Sequence, residues 1–498
     1  MKGSLGPEGN FPHCLTTKGY LVISLKRTMT THTEFDPAVN KRPALIITTL
    51  ASFLTPFGIS SVNLALPSIG KDFSMDAILL SWVTMVYLLT SAMFFVPFGK
   101  IADIHGRKRI FTYGILIFIL ASAGCAISNS AALLICFRIL QGVGAAALYP
   151  VGAAILTSTF PARELGKVLG FNGAAVYLGF SSGPFFGGLL THHLGWRSIF
   201  LVNVLVGLVV ILLILWKLKG EWREAKEEKF DLLGSALFSV ILLFILYGFS
   251  QLSTMLGAGL VLAGCLGVWL FVRWETEVRS PVLEIELFKS NRVFAFSILA
   301  TIIHASASAA IPFLLSLYLQ YVKKLNPENA GLILIAQPIV QVLFSPFSGK
   351  LSDRIEPRIV ASIGLVLTGF GIFLLVVLNE KTMQAFIVGD LILLGFGSAL
   401  FAVPNANAAM TSVESRSYGV ASAMLSTMRI TGMAISTGIA LLLFTIYLGN
   451  VEITPETFPV FLHCQRLAFI LFAILCFGGI LASLARGNIR KEVSSFSP

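Results

Sequence analysis

The chain has 498 residues, 56% of them hydrophobic and 12% charged, and its mean hydropathy is +0.84. A soluble domain carries roughly 25% charged residues, so this chain lacks the charge to coat a water-facing surface, which excludes a soluble enzyme. The net charge of +11 lies in short loops between apolar runs and forms no continuous face, which excludes a nucleic-acid binder and points to membrane topology.

Residues 1–43 are polar and mixed and read as a cytoplasmic N-terminal tail. The run from Leu21 to Leu25 is too short for the core of a signal peptide, and Met29 offers an alternative translation start to Met1. A span needs roughly 20 apolar residues to cross the hydrocarbon. Fourteen stretches qualify: 44–68, 79–99, 110–128, 131–156, 166–190, 198–216, 232–251, 255–272, 293–320, 329–348, 358–378, 384–408, 418–447 and 466–485. With the N-terminus and every second loop assigned to the cytoplasm, 28 of the 36 lysines and arginines fall inside and 6 outside. That asymmetry predicts cytoplasmic termini. The 6 cysteines are scattered, without a CxxC pair or metal spacing, and read as free thiols.

The loop after the second span carries Gly99, Asp103, Gly106, Arg107 and Lys108 in a G-x3-D-x2-G-R-K spacing. Asp103 ends a helix, where the dipole disfavours an anion, so it calls for the cations one turn away, and Gly106 permits a sharp reversal. In the fourth span stand Arg138 and Gln141. An arginine at that depth faces a partner or a wet cavity, or else snorkels to the interface. In the fifth span, Gly179, Gly183 and Gly187 share one helix face, next to Pro184 and Gly188. Small residues in this arrangement admit a close neighbour, and the proline predicts a kink.

Two strings recur in order. GKIAD at Gly99 returns as GKLSD at Gly349, with Asp353 and Arg354 in place of Asp103 and its cations and Pro357 where Gly106 stood; GVGAA at Gly142 returns as GFGSA at Gly395. The offsets of 250 and 253 imply two parallel halves, 44–216 and 293–485, with the 217–292 segment inserting two helices between them, and 486–498 as a cytoplasmic tail. Asp390 in the twelfth span lies one residue from the position equivalent to Arg138. Two readings stand: the pair faces a shared cavity and exchanges a proton-sensitive contact, or Asp390 is solvated near the outer end. His304 either titrates or packs. Gln337, Gln341, Asn405 and Asn407 either line the cavity or bond between helices, and Arg429 is structural or cavity-lining.

The G-x3-D-x2-G-R-K loop, the Arg138–Gly144 string and the Gly179–Gly188 pattern resemble the signatures of the major facilitator superfamily. The six-two-six layout resembles its fourteen-span drug:proton antiporter branch (EmrB/QacA-type). The resemblance implies an all-α membrane protein of major facilitator fold, with two parallel six-helix bundles and fourteen transmembrane helices. It also implies a latch at Asp103 and Arg107, with Asp353 and Arg354 or Arg358 as its echo. Proton coupling is expected at Arg138 and a cavity seal at the span-five pattern. One departure is Gly58, where members often carry an aspartate five residues before the Asn63–Pro67 string.

No phosphate-loop or zinc-protease motif is present, so the expected energy source is a proton gradient without a cofactor. The expected activity is export of a small amphipathic or toxic compound from a monomer in the plasma or inner membrane, with the substrate, protons and lipid as partners. A symporter or metabolite exporter of the same fold is the alternative. A sensor or intramembrane enzyme would need a signalling domain or clustered nucleophiles, and neither is found.

Overall fold

The computed structural model describes residues 41–75, 77–252, 254–448 and 456–487. Both alternative starts and most of each tail lie outside the described residues. All fourteen apolar stretches fall on helix. They are α1 Lys41–Phe73, α2 Ala77–His105, α3 Arg107–Ile127, α4 Ala131–Thr159, α5 Ala162–Leu194, α6 Arg197–Lys217, α7 Leu232–Ser250, α8 Met255–Glu277, α9 Arg292–Val322, α10 Glu328–Arg354, α11 Pro357–Val377, α12 Gln384–Thr411, α13 Tyr418–Tyr447 and α14 Phe458–Ala485. Among the described residues thirteen of them are long and apolar enough to cross a membrane, and the 33-residue α5 stands between the fourth and fifth of these.

Polar residues at the helix starts explain several boundaries. Ser130, Asp231, Thr254 and Asn291 each accept a hydrogen bond from a backbone N–H of the first turn of α4, α7, α8 and α9. Gly106, at φ 115°, makes the reversal between α2 and α3 that an L-residue would resist. The last helix corrects the sequence reading: it starts at Phe458 rather than 466, so Arg466 sits on its exposed face and not in a loop. One arginine does not end an apolar run, because its stem lies along the helix while its head reaches the interface.

The repeat is realised in the packing. In the first half α1 packs on α5 and α6, α2 on α4, and α3 on α4 and α6; in the second half α9 packs on α13 and α14, α10 on α12, and α11 on α12 and α14. Each pairing recurs eight helices later. The recurring Gly-x-Gly explains why. A Cβ at Gly142 would meet the Tyr87 carbonyl of α2 at 2.8 Å, and one at Gly395 the Gln337 carbonyl of α10 at 2.5 Å. The second glycine of each string lets α4 approach α3 and α12 approach α11 in the same way.

The halves meet along two equivalent seams, α2 against α13 and α10 against α5. Helices α7 and α8 pack together, and α7 also leans on both α2 and α13. The inserted pair therefore backs one seam.

Candidate functional site

At one end of the seams, two carboxylates hold the halves together. Asp103 is fully buried at the end of α2, where an anion is disfavoured, yet it also lies at the start of α13, where exposed N–H groups favour one. Its Oδ1 accepts from Gly419 N–H at 3.0 Å and its Oδ2 from Val420 N–H at 3.1 Å. Arg107 donates to Oδ1 from Nε at 2.8 Å and Nη2 at 2.7 Å, and also to Ser158 Oγ and the Ser415 carbonyl. One fully buried guanidinium thus ties α3 to α4, to Asp103 and to the opposite half. Asp353, at the end of α10, reaches the second turn of α5: its oxygens accept from Gly166 and Lys167 N–H at 2.8 and 2.9 Å. Gly349 touches Gly166 there, as Gly99 touches Gly419 at the other seam. Arg354 lies in the last turn of α10, while Arg358 donates to the Leu484 carbonyl within its own half.

The segment after α6 straps the Asp103 loop. Glu221 accepts from the N–H groups of Lys108 and Arg109, which open α3. Trp222 O accepts from Arg107 N–H at 3.0 Å, Ala225 N–H donates to Asp103 O at 3.2 Å, and Glu228 pairs with Lys100. Lys108 thus enters the site through its backbone. The sequence reading missed this strap, although the density of charge between Lys217 and Asp231 was a signal for it.

The Gly179, Gly183 and Gly187 face lies against α1. A Cβ on Gly179 would meet the Phe53 carbonyl at 2.6 Å, and one on Gly187 would meet Ser61 Cα at 2.8 Å; a Cβ on Gly188 would meet the Leu64 side chain. Pro184 has no N–H for the Phe180 carbonyl, and Ser60 of α1 donates to that carbonyl at 2.7 Å instead. The helix stays continuous from Ala162 to Leu194.

Arg138 is fully buried inside the first half. Its Nε donates to Val83 O at 2.9 Å, its Nη1 to Gln141 Oε1 at 2.5 Å, and Tyr87 lies under its guanidinium at 4.4 Å; Gln141 in turn donates to Ser122. It does not snorkel. Asp390, 3% exposed and about 9 Å inside α12, faces Gly371 and Leu394 of its own half, and neither carboxylate oxygen has a hydrogen-bond partner. The expected Arg138–Asp390 pair is therefore not formed. The repeat gives the two residues equivalent depths, and the same equivalence turns each into its own bundle.

His304 stacks on Phe401 at 4.4 Å, with Nε2 buried and unpartnered. Asn405 and Asn407 bond between helices, to Ser297 O and Thr301 Oγ1 of α9 and to Ser352 Oγ of α10. Gln337 is buried and Gln341 half-buried on α10. Arg429 does bridge the halves: from α13 its Nη2 donates to the Tyr149 hydroxyl of α4, over whose ring its Cζ sits at 4.9 Å. Among the described residues no group of three metal-ligating side chains occurs.

A sequence profile of the Major Facilitator Superfamily matches residues 48–297 and 296–497. The multidrug resistance protein Stp of Mycobacterium tuberculosis is 32% identical over 401 residues, covering 78% of this chain and 73% of Stp. The riboflavin transporter RibZ of Clostridioides difficile is 28% identical, covering 88% of this chain and 96% of RibZ. The tetracenomycin C resistance and export protein of Streptomyces glaucescens is 26% identical over 82% of this chain and 77% of its own. In fold, the crystal structure of the human organic anion transporter MFSD10 (TETRAN) superposes with a TM-score of 0.65 at 15% identity, covering 89% of this chain and 99% of that one. With its two-bundle architecture and these relatives, the chain is a membrane transporter, not an enzyme, and belongs to the major facilitator superfamily.

Proposed function

We propose that the protein exports a small amphipathic or toxic compound in exchange for protons, by alternating access. The mirrored carboxylate caps carry this reading. Asp103 holds the start of α13 and Asp353 the second turn of α5, so the seams can part at that end only by releasing both. The lysine and arginine asymmetry supports a cytoplasmic location for the capped end and for both termini, with the protein a monomer of fourteen spans in the cell membrane. Asp390 is the group we assign to the proton: an intramembrane acid with two unpartnered oxygens is a functional site by default. One charge moving through 100 mV supplies about 2.3 kcal/mol, enough for roughly fifty-fold accumulation. The relatives named for multidrug resistance and for resistance and export support efflux. The riboflavin-transporter relative favours a second reading on the same fold, export of a metabolite.

The test is expression in an efflux-deficient host, with a toxicity panel run with and without a protonophore. Resistance should vanish with the protonophore and with Asp390→Asn, at unchanged membrane abundance. Resistance that survives either treatment refutes proton coupling through Asp390.

A further inference from the structure

Arg138 and Asp390 each face the interior of their own bundle, whereas Arg429 has partners in both halves. It lies about 16 Å from the Tyr418 end of α13, and Tyr149 lies about 15 Å from the Thr159 end of α4. Both therefore stand near the midplane, above the capped end, where transporters of this plan hold their cargo. The guanidinium has five N–H donors, and among the described residues its one hydrogen bond goes to Tyr149. Arg429 is half-buried, so its remaining donors are not sealed in the core; Arg138, by contrast, is fully buried and has a buried, unpartnered Nη2. The groups acting on Arg429 are the phenols of Tyr149 and Tyr177, and among the described residues no carboxylate pairs with it. Phe95 extends the ring surface, 6.3 Å from Tyr149.

A full positive charge is thus held at membrane depth between two halves that move apart, with spare donors and an aromatic border but no counter-ion. Such a charge repels cations and is incomplete without an anion. We infer that the midplane site takes an amphipathic aromatic anion, a carboxylate or sulfonate gripped by Arg429 with its rings against Tyr149, Tyr177 and Phe95. This inference rests on the transport reading above and gives it a substrate class.

Two xanthene dyes of similar shape and opposite charge test it: fluorescein, an anion, and rhodamine 6G, a cation. Binding is followed by fluorescence anisotropy on the purified full chain in lipid nanodiscs, where no gradient is needed. Fluorescein should bind at least about tenfold tighter than rhodamine 6G, a difference of about 1.4 kcal/mol. Arg429→Gln should remove most of that preference, and Arg429→Lys should retain part of it. Failure of fluorescein to bind, equal or tighter binding of rhodamine 6G, or unchanged fluorescein affinity in a monodisperse Arg429→Gln protein overturns the inference. If fluorescein binds selectively but is not moved by a pH gradient in proteoliposomes, the coupling reading fails while the anion site stands.

Discussion

Ser60 shows how much one hydroxyl can do inside a membrane. Pro184 leaves the Phe180 carbonyl without its helical donor, and lipid offers no substitute. Ser60 donates from α1 at 2.7 Å, so the carbonyl is satisfied within a continuous α5 and the pair is joined where the glycine face makes backbone contact possible. Ser60→Ala should destabilise the protein by about 1–3 kcal/mol, the cost of an unsatisfied buried acceptor. Thermal unfolding in detergent would register this as a lowered Tm, whereas an unchanged Tm would mean that the carbonyl finds water. The proline and the glycines were legible in the sequence, and the expected kink followed from them. The repair was not, because a serine 120 residues away carries no mark of the carbonyl it will meet. Asn203 is a similar case. Its buried amide has no partner, and it faces the place where Gly58 lacks a side chain, 3.4 Å from where a Cβ would be.

At the level of the helices, the same device is used twice. Each cap gives a carboxylate two backbone N–H groups near a helix start, and charge-assisted bonds of this kind contribute about 1.5–3 kcal/mol. Asp103 carries an added burden, since removing its charge strands the fully buried Arg107, and breaking a buried pair costs about 3–5 kcal/mol. Asp103→Asn should therefore loosen the capped end. The readout is thiol labelling of a cysteine placed at Ser158, which Arg107 covers. Labelling should accelerate by at least about tenfold, since 1.4 kcal/mol is a factor of ten. A rate equal to that of the parent would deny the Asp103–Arg107 pair its share. The two seams were foreshadowed by GKIAD and GKLSD, whose spacing survives translation by 250 residues. Their partners were not, because any residue can supply the backbone N–H groups near the start of α13 and α5. Pro357, standing where the first copy has Gly106, was a legible difference between the two copies.

For the molecule as a whole, the question is whether the capped end must open in each cycle. Helix α7 backs only the α2–α13 seam, so the two seams are not mechanically equivalent, even though their caps match. Arg107 donates both to Ser158 of one half and to the Ser415 carbonyl of the other, which brings these two positions within the reach of a single side chain. Cysteines placed there, in a background cleared of the 6 native ones, can be bridged by a short bifunctional thiol reagent. Bridging holds the capped end shut while leaving the midplane site and the opposite end untouched. Proton-driven transport should therefore stop in the bridged protein, while fluorescein binding at Arg429 should persist within about twofold, because interface contacts distant from the ligand add nearly independently. Each single cysteine treated with the same reagent controls for modification alone. Continued transport in fully bridged protein would mean that the halves do not part along this seam, and the alternating-access reading would fall with it.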